Sequence, residues 1–423
     1  MRKLFLFISL FLVGFIHPSW GQEYAFNGIP DSLISGAHAV IRSSIMEVTI
    51  DEKQEYKYRI EMAVTVLDKT GEEEGDITLL TALNETVQLL YGRIYDSRGV
   101  QIKSVDVTNF HADRLISTGT NINENRDLYQ MEMRAKSYPY TSVYAYEHKV
   151  NGSLNLPDWR PLSNTYVSCM YGKVSIKLKN GIGVHFKADS KLKELPIEIN
   201  KKSKIQAWEI SSIKAVKKQP ELLQSPMLRM AMDDFEIKGN AGSMRSWIDF
   251  GNFIFNLNET QYEMNDELKK TIHELADKYE NPNEKISALY SYLQEEYRYV
   301  LVHFGMGGWQ PQSCTYTFNK GFGDCKALTL FMQTMLKEVG IEAYYCLVQA
   351  GDDLEAIDPD FAENRFNHAI VCAIVDGKNV WIECTSKKLK AGNLGEFSGN
   401  KYALIIDKNK SRLIKTSIGI KEE

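Results

Sequence analysis

The chain has 423 residues, with 50 Lys and Arg against 55 Asp and Glu, eight His and six Cys. A mildly acidic chain without a basic run is a poor partner for nucleic acid, and none is expected to bind. The length exceeds one ordinary hydrophobic core, so two or three domains are expected.

The first 21 residues read as a secretory leader. Arg2 and Lys3 precede an apolar run from Leu4 to Ile16, and Ser19-Trp20-Gly21 supplies a small-x-small cleavage site before Gln22. The run is well short of the ~20 residues needed to span a bilayer, and no other stretch is apolar enough to do so. A cleaved, periplasmic or secreted protein without a transmembrane segment is therefore expected. No cysteine near the cleavage site offers lipid attachment. Loss of Arg2 and Lys3 leaves 48 basic against 55 acidic residues.

Residues 22–220 carry period-two patterning and predict an all-β, antiparallel sandwich-like domain. Tyr58, Ile60, Met62, Val64 and Val66 alternate with Arg59, Glu61 and Thr65. Val174, Ile176 and Leu178 alternate with lysines and Ser175, meet Asn180-Gly181, and resume at Val184 and Phe186, which predicts a hairpin. Asp96-Ser97-Arg98-Gly99 is a turn signal, and Tyr144, Tyr146 and His148 mark another strand. No catalytic constellation stands out here. A partner at the cell envelope is the use expected of this domain.

Residues 221–262 read as a less regular connecting segment, and 263–423 as a second, α+β domain. Leu268, Ile272, Leu275 and Tyr279 share a helical face behind Asn265 as a cap, and Asn281-Pro282 breaks the run. Ile286, Leu289, Tyr290, Leu293 and Tyr297 define a second helix. An irregular stretch through Trp309 and Gln310 leads to a third, in which Leu328, Phe331, Met332, Met335, Leu336 and Val339 recur at helical spacing, with Asp324 near the N-cap and Gly340 at the C-terminus. Strands follow at 341–349, 368–375 and 379–384.

This places Cys325 in the first turn of an amphipathic helix, where free N–H groups and the helix dipole favour an anion. A thiol there is readily made a thiolate; the alternative is a buried structural cysteine. Five of the six cysteines follow residue 300 without framework spacing, so few or no disulfides are expected, and Cys346 and Cys372 read as core thiols.

A thiolate needs a base, and the base needs a group that orients it. Five histidines lie in the leader or the β region and His273 is off the apolar face of its helix, which leaves His303 and His368 near Cys325 in the chain. His368 opens the alternating run HAIVCAIV. A two-residue turn at Asp376-Gly377 would pair 375 with 378 and hence 370 with 383. Glu383 then falls on the face of His368 as a diagonal neighbour about 7–8 Å away, although a three-residue turn would flip it. Metal and phosphate chemistry find no support: HExxH, CxxC and Walker-type motifs are all missing.

Taken together, GFGDCKALTLFMQTMLKEVGIEAYY, the upstream GGWQP and FNHAIVCAIVDGKNVWIECT resemble the transglutaminase-like superfamily, whose papain-like core uses Cys, His and Asp. Leader, long β domain and core in that order resemble a group of exported bacterial proteins. The resemblance implies Cys325 as nucleophile, His368 as base and no cofactor. Where that family has aspartate followed by proline or alanine, this chain has Glu383-Cys384. An oxyanion would be met by the Cys325 N–H together with Gln310 or the Trp309 indole, unless both only shape the loop and groove wall. The expected function is attack on a peptide or glutamine carboxamide of a peptide or protein substrate, with the thioacyl group passing to water, as in a protease or amidase. A true transglutaminase and an idle scaffold protein are the alternatives.

Overall fold

The computed structural model describes residues 22–82, 85–115, 126–150, 154–162, 164–218, 225–301, 308–351 and 355–419. The expected leader and His303 lie outside them. The chain is α+β, a large sheet-rich N-terminal region followed by a helical and sheet core.

Among the described residues the N-terminal region is built on a nine-stranded sheet. Its order is Lys193–Glu194, Ser203–Ile213, Val167–Lys179, Ala39–Ile50, Tyr56–Val66, Tyr140–Val150, Glu85–Tyr95 and Gln101–Ser104, with Glu198–Ile199 also on Ser203–Ile213. The turn at 96–99 joins the last two strands: Asp96 Oδ1 accepts from the N–H groups of Arg98 and Val100. One pairing is parallel, Ala39–Ile50 with Val167–Lys179. It follows from a crossover that leaves Tyr140–Val150 and re-enters beyond two intervening strands in the same direction. Trp159, only 2% exposed, anchors that crossover.

The hairpin expected at Asn180-Gly181 does not form. The tight turn is present, with the Ile182 N–H bonded to the Lys179 carbonyl and Gly181 at φ +88°. The edge of Val167–Lys179 is instead taken by Ser203–Ile213, and Val184–Ala188 pairs with Leu228–Met232 in a separate two-stranded sheet. A turn signal fixes a reversal of direction; it does not fix which strand wins the edge.

The segment expected to be irregular contains the helix Trp247–Glu259, capped by Ser246, whose side chain accepts from the Asp249 N–H. Its buried Phe250, Phe253, Ile254 and Leu257 join one apolar cluster that runs from Val48, Ile176 and Trp208 of the large sheet to Leu330 and Phe331. The N-terminal region and the core thus share buried side chains.

In the core, Asp266–Ala276 is capped by Asn265, as the sequence predicts, and Asn281, expected to break the run, caps Pro282–Glu296. The helix Cys325–Glu338 is buried along almost its whole length and packs on a five-stranded antiparallel sheet. The sheet order is Lys378–Ile382, His368–Val375, Ala343–Val348, Tyr402–Ile405, Arg412–Lys415. Gly340, at φ +78°, ends the helix: its N–H bonds to the Lys337 carbonyl and the Ile341 N–H to the Leu336 carbonyl, a Schellman closure.

Candidate active site

Three backbone devices bring the site together. Asp324 caps the helix Cys325–Glu338, its Oδ1 accepting from the Ala327 N–H at 3.0 Å, which sets Cys325 at the first helical position. Asp376 and Gly377 both adopt positive φ, 51° and 72°, the pattern of a type I′ turn, and Val375 pairs with Lys378 and Val371 with Ile382. Continued by one step, that register sets Glu383 opposite Ile370, on the face of His368. Thr329 Oγ1 then donates to the Ala369 carbonyl at 3.0 Å, tying the helix to the strand next to His368.

His368 is 8% exposed, Glu383 3% and Cys325 5%. His368 Nε2 lies 2.9 and 3.1 Å from Glu383 Oε1 and Oε2. Glu383 is held in turn by Thr385 Oγ1, which donates to Oε1 at 2.7 Å, and Ser398 Oγ, which donates to Oε2 at 2.8 Å. The Tyr290 hydroxyl donates to the Glu383 carbonyl at 2.7 Å and fixes its backbone. The Cys325 side chain is the other group that interacts with the imidazole. With Nε2 taken by the carboxylate, Nδ1 is the ring nitrogen left for another partner.

The electrostatics follow from this packing. Burial opposes a charged imidazole, but the side chains of Cys325 and Glu383 outweigh it and push His368 up from 6.5 to about 10. Burial would raise the Glu383 carboxyl, yet donors on His368, Thr385 and Ser398 hold it below the ordinary 4.5. Burial, the largest cause for each, pushes Cys169, Cys314 and Cys372 up to about 12 and Cys346 and Cys384 well above 9. All six are free thiols.

Cys325 and His368 open onto a cleft of about 420 Å³. Trp309 lies in its wall, edge-on to Phe253. Gln310 is outside the lining, and its Nε2 donates to the Leu257 carbonyl at 2.9 Å. Lys326 also lines the cleft, its ammonium bonded to the buried Asp324 carboxylate. Among the described residues no group of His, Cys, Asp or Glu is arranged to hold a metal, and no helix is long and apolar enough to cross a membrane.

Sequence reasoning missed the props of the site. Thr385 is two residues from Glu383 and so was within reach of a local argument, whereas Ser398 arrives from a distant segment with no local signal. It also missed that the β region builds part of the cleft. Asn155 lines it and accepts from Asn364 Nδ2 at 3.0 Å. The loop before His368 is clamped to the same region: Arg229 donates to Asp358 at 2.6 Å and Glu363 at 2.9 Å, Arg365 donates to Asp158 at 2.7 Å, and Lys187 and Arg160 pair with Asp358 and Glu355.

Among solved structures, the chain is similar to a "putative protease" from Parabacteroides distasonis ATCC 8503, at TM-score 0.62 and 16% identity over 90% of this chain and 72% of that one. That likeness shows a shared fold. It is also aligned with a "putative cysteine protease" from Cytophaga hutchinsonii at 11% identity, over 78% of this chain and 77% of that one, with a TM-score of 0.24 that carries no argument. No curated protein matches. Residues 269–386 match the family model of the transglutaminase-like superfamily, and that part of the chain is a transglutaminase-like core.

Proposed function

We propose that the protein is an exported cysteine-dependent enzyme that cleaves an amide of a peptide or protein. The observation that carries this reading is the buried group Cys325, His368 and Glu383, in which the imidazole bonds to the carboxylate and interacts with the Cys325 side chain beside a cleft. A nucleophile beside a base that is itself oriented by a third group is the arrangement nucleophilic catalysis needs.

In this reading Cys325 gives its proton to His368 Nδ1, and Sγ attacks the amide carbonyl carbon. The oxyanion that forms is met by the Cys325 N–H at the helix start and the Trp309 indole. His368 returns the proton to the leaving amine, and the C–N bond breaks to leave a thioacyl group on Cys325. Water, deprotonated by His368, then releases the acid and restores the thiol. Glu383 holds the ring orientation and balances the imidazolium throughout. The extra methylene of glutamate, relative to aspartate, is accommodated by Thr385 and Ser398, which fix both carboxylate oxygens. The leader-like first 21 residues support a periplasmic or secreted location.

The test is turnover of a peptide library by wild type and Cys325→Ala, read by mass spectrometry with and without a primary amine. Cleavage products bearing water, lost in the variant, support the reading. Products that gain the amine replace it with transamidation, and turnover by neither protein overturns it in favour of a scaffold.

A further inference from the structure

We infer that the cleft selects substrates carrying a carboxylate close to the scissile amide, and that Arg126 of the β region receives it; this deepens the amide-cleaving reading and rests on it. The cleft's charge is one-sided. Among its described lining residues are Arg126, Lys326 and His368, and not one Asp or Glu. The three cations differ in what is left of them for a ligand. Lys326 is bonded to the buried Asp324, and His368 is committed to Glu383 and Cys325. Arg126 opens the strand Arg126–Met131 with its side chain exposed, and has no ion-pair partner among the described residues.

Its chemistry then narrows the ligand. A guanidinium presents a planar fork of N–H donors that matches a carboxylate in a two-point bond. Trp309, Phe366 and Ile254 form the apolar part of the same wall, and a low-dielectric boundary strengthens an ion pair made beside it. A cationic peptide would instead bring a like charge up to Arg126 with no acid in the lining to offset it. The sign is particular to this cleft: a cavity of about 600 Å³ elsewhere in the β region is lined by Glu73, Glu74, Asp76 and Glu132 with Arg134. Arg126 also comes from a different region than Cys325 and His368, which gives the β region a part in choosing the substrate.

The test uses matched peptide pairs on the full protein. One pair has a free or an amidated C-terminus beside the scissile bond; the other has Glu or Gln at the neighbouring position. Wild type should favour the carboxylate member of at least one pair by about 10-fold or more in kcat/KM, and the pair that responds identifies an α- or a side-chain carboxylate. Arg126→Gln should bring that ratio near one, and Arg126→Glu should favour a Lys-bearing peptide. Equal kcat/KM within both pairs for wild type, or a preference that survives Arg126→Gln, overturns the inference. If wild type cleaves nothing, the amide-cleaving reading fails on its own. Calorimetry with Cys325→Ala then decides the inference: tighter binding of the carboxylate peptide that is lost on adding Arg126→Gln supports it, and equal or absent binding overturns it.

Discussion

Among the described residues two buried histidines bond a glutamate, one in each region, and they differ in the second partner of the ring. In the large sheet, His148 is 6% exposed, its Nε2 lies 3.0 Å from Glu85 Oε2, and its Nδ1 meets the hydroxyl of Tyr58. Burial pushes the Tyr58 phenol far up, so it stays neutral and completes a satisfied structural network. In the core, His368 makes the same bond to Glu383, but its other partner is the thiol of Cys325 and the trio borders a cleft. A carboxylate-bound histidine is therefore no mark of a site by itself. The third group and access from solvent separate the two.

The sharpest way to break this comparison is to remove the thiols one at a time. Cys325→Ala should reduce peptide turnover on the order of 10⁶-fold, while Cys372→Ala, at a buried core thiol, should leave kcat within a few fold. The two glutamates come next. Glu383→Gln should lower kcat on the order of 10²–10⁴-fold, whereas Glu85→Gln should lower melting temperature and leave kcat near wild type. A comparable fall in kcat from Glu85→Gln would erase the distinction.

The clamp between the regions sharpens the contrast in stability. Arg229→Ala leaves Asp358 and Glu363 without their shared guanidinium and should cost about 2–3 kcal/mol by denaturant unfolding, below the range for a fully buried pair because water reaches this one. The loop it releases carries His368, so kcat should fall along with stability. The smallest effect is a pH signature. The folded-state value of His368, about 10, lies above its ordinary 6.5, so its stabilisation is complete below about pH 6.5 and is lost as pH rises toward 10. Glu383 is held below 4.5, so its share is present above pH 4.5 and is lost as pH falls through that lowered value. The difference in melting temperature between wild type and His368→Gln should therefore narrow above about pH 7, and a difference that grows there would contradict the pairing.

The part of the site readable from the chain was the part set by local rules. Asp324 and Gly340 bound the helix that opens with Cys325 through short-range capping, and Asp376-Gly377 set a register whose parity alone carries Glu383 to the face of His368. Where competition between distant segments decides, the reading stopped. Asn180-Gly181 turns the chain, but the edge beside it belongs to Ser203–Ile213. The helix Trp247–Glu259 carries a readable cap in Ser246, yet its aromatic-rich face blurs the period and the segment reads as irregular. Ser398 beneath Glu383, Asn155 and Arg126 in the cleft, and the Arg229 clamp all come from elsewhere in the chain, and no local pattern announces them.

In the proposed mechanism His368 activates Cys325 and none of the five other thiols. The most direct measurement is brief labelling with iodoacetamide at pH 6 followed by peptide mapping. A single fast adduct at Cys325 is expected, slowed by His368→Ala to the rate of an ordinary free thiol. Labelling of Cys325 no faster than a free thiol, or at the same rate in His368→Ala, would contradict it.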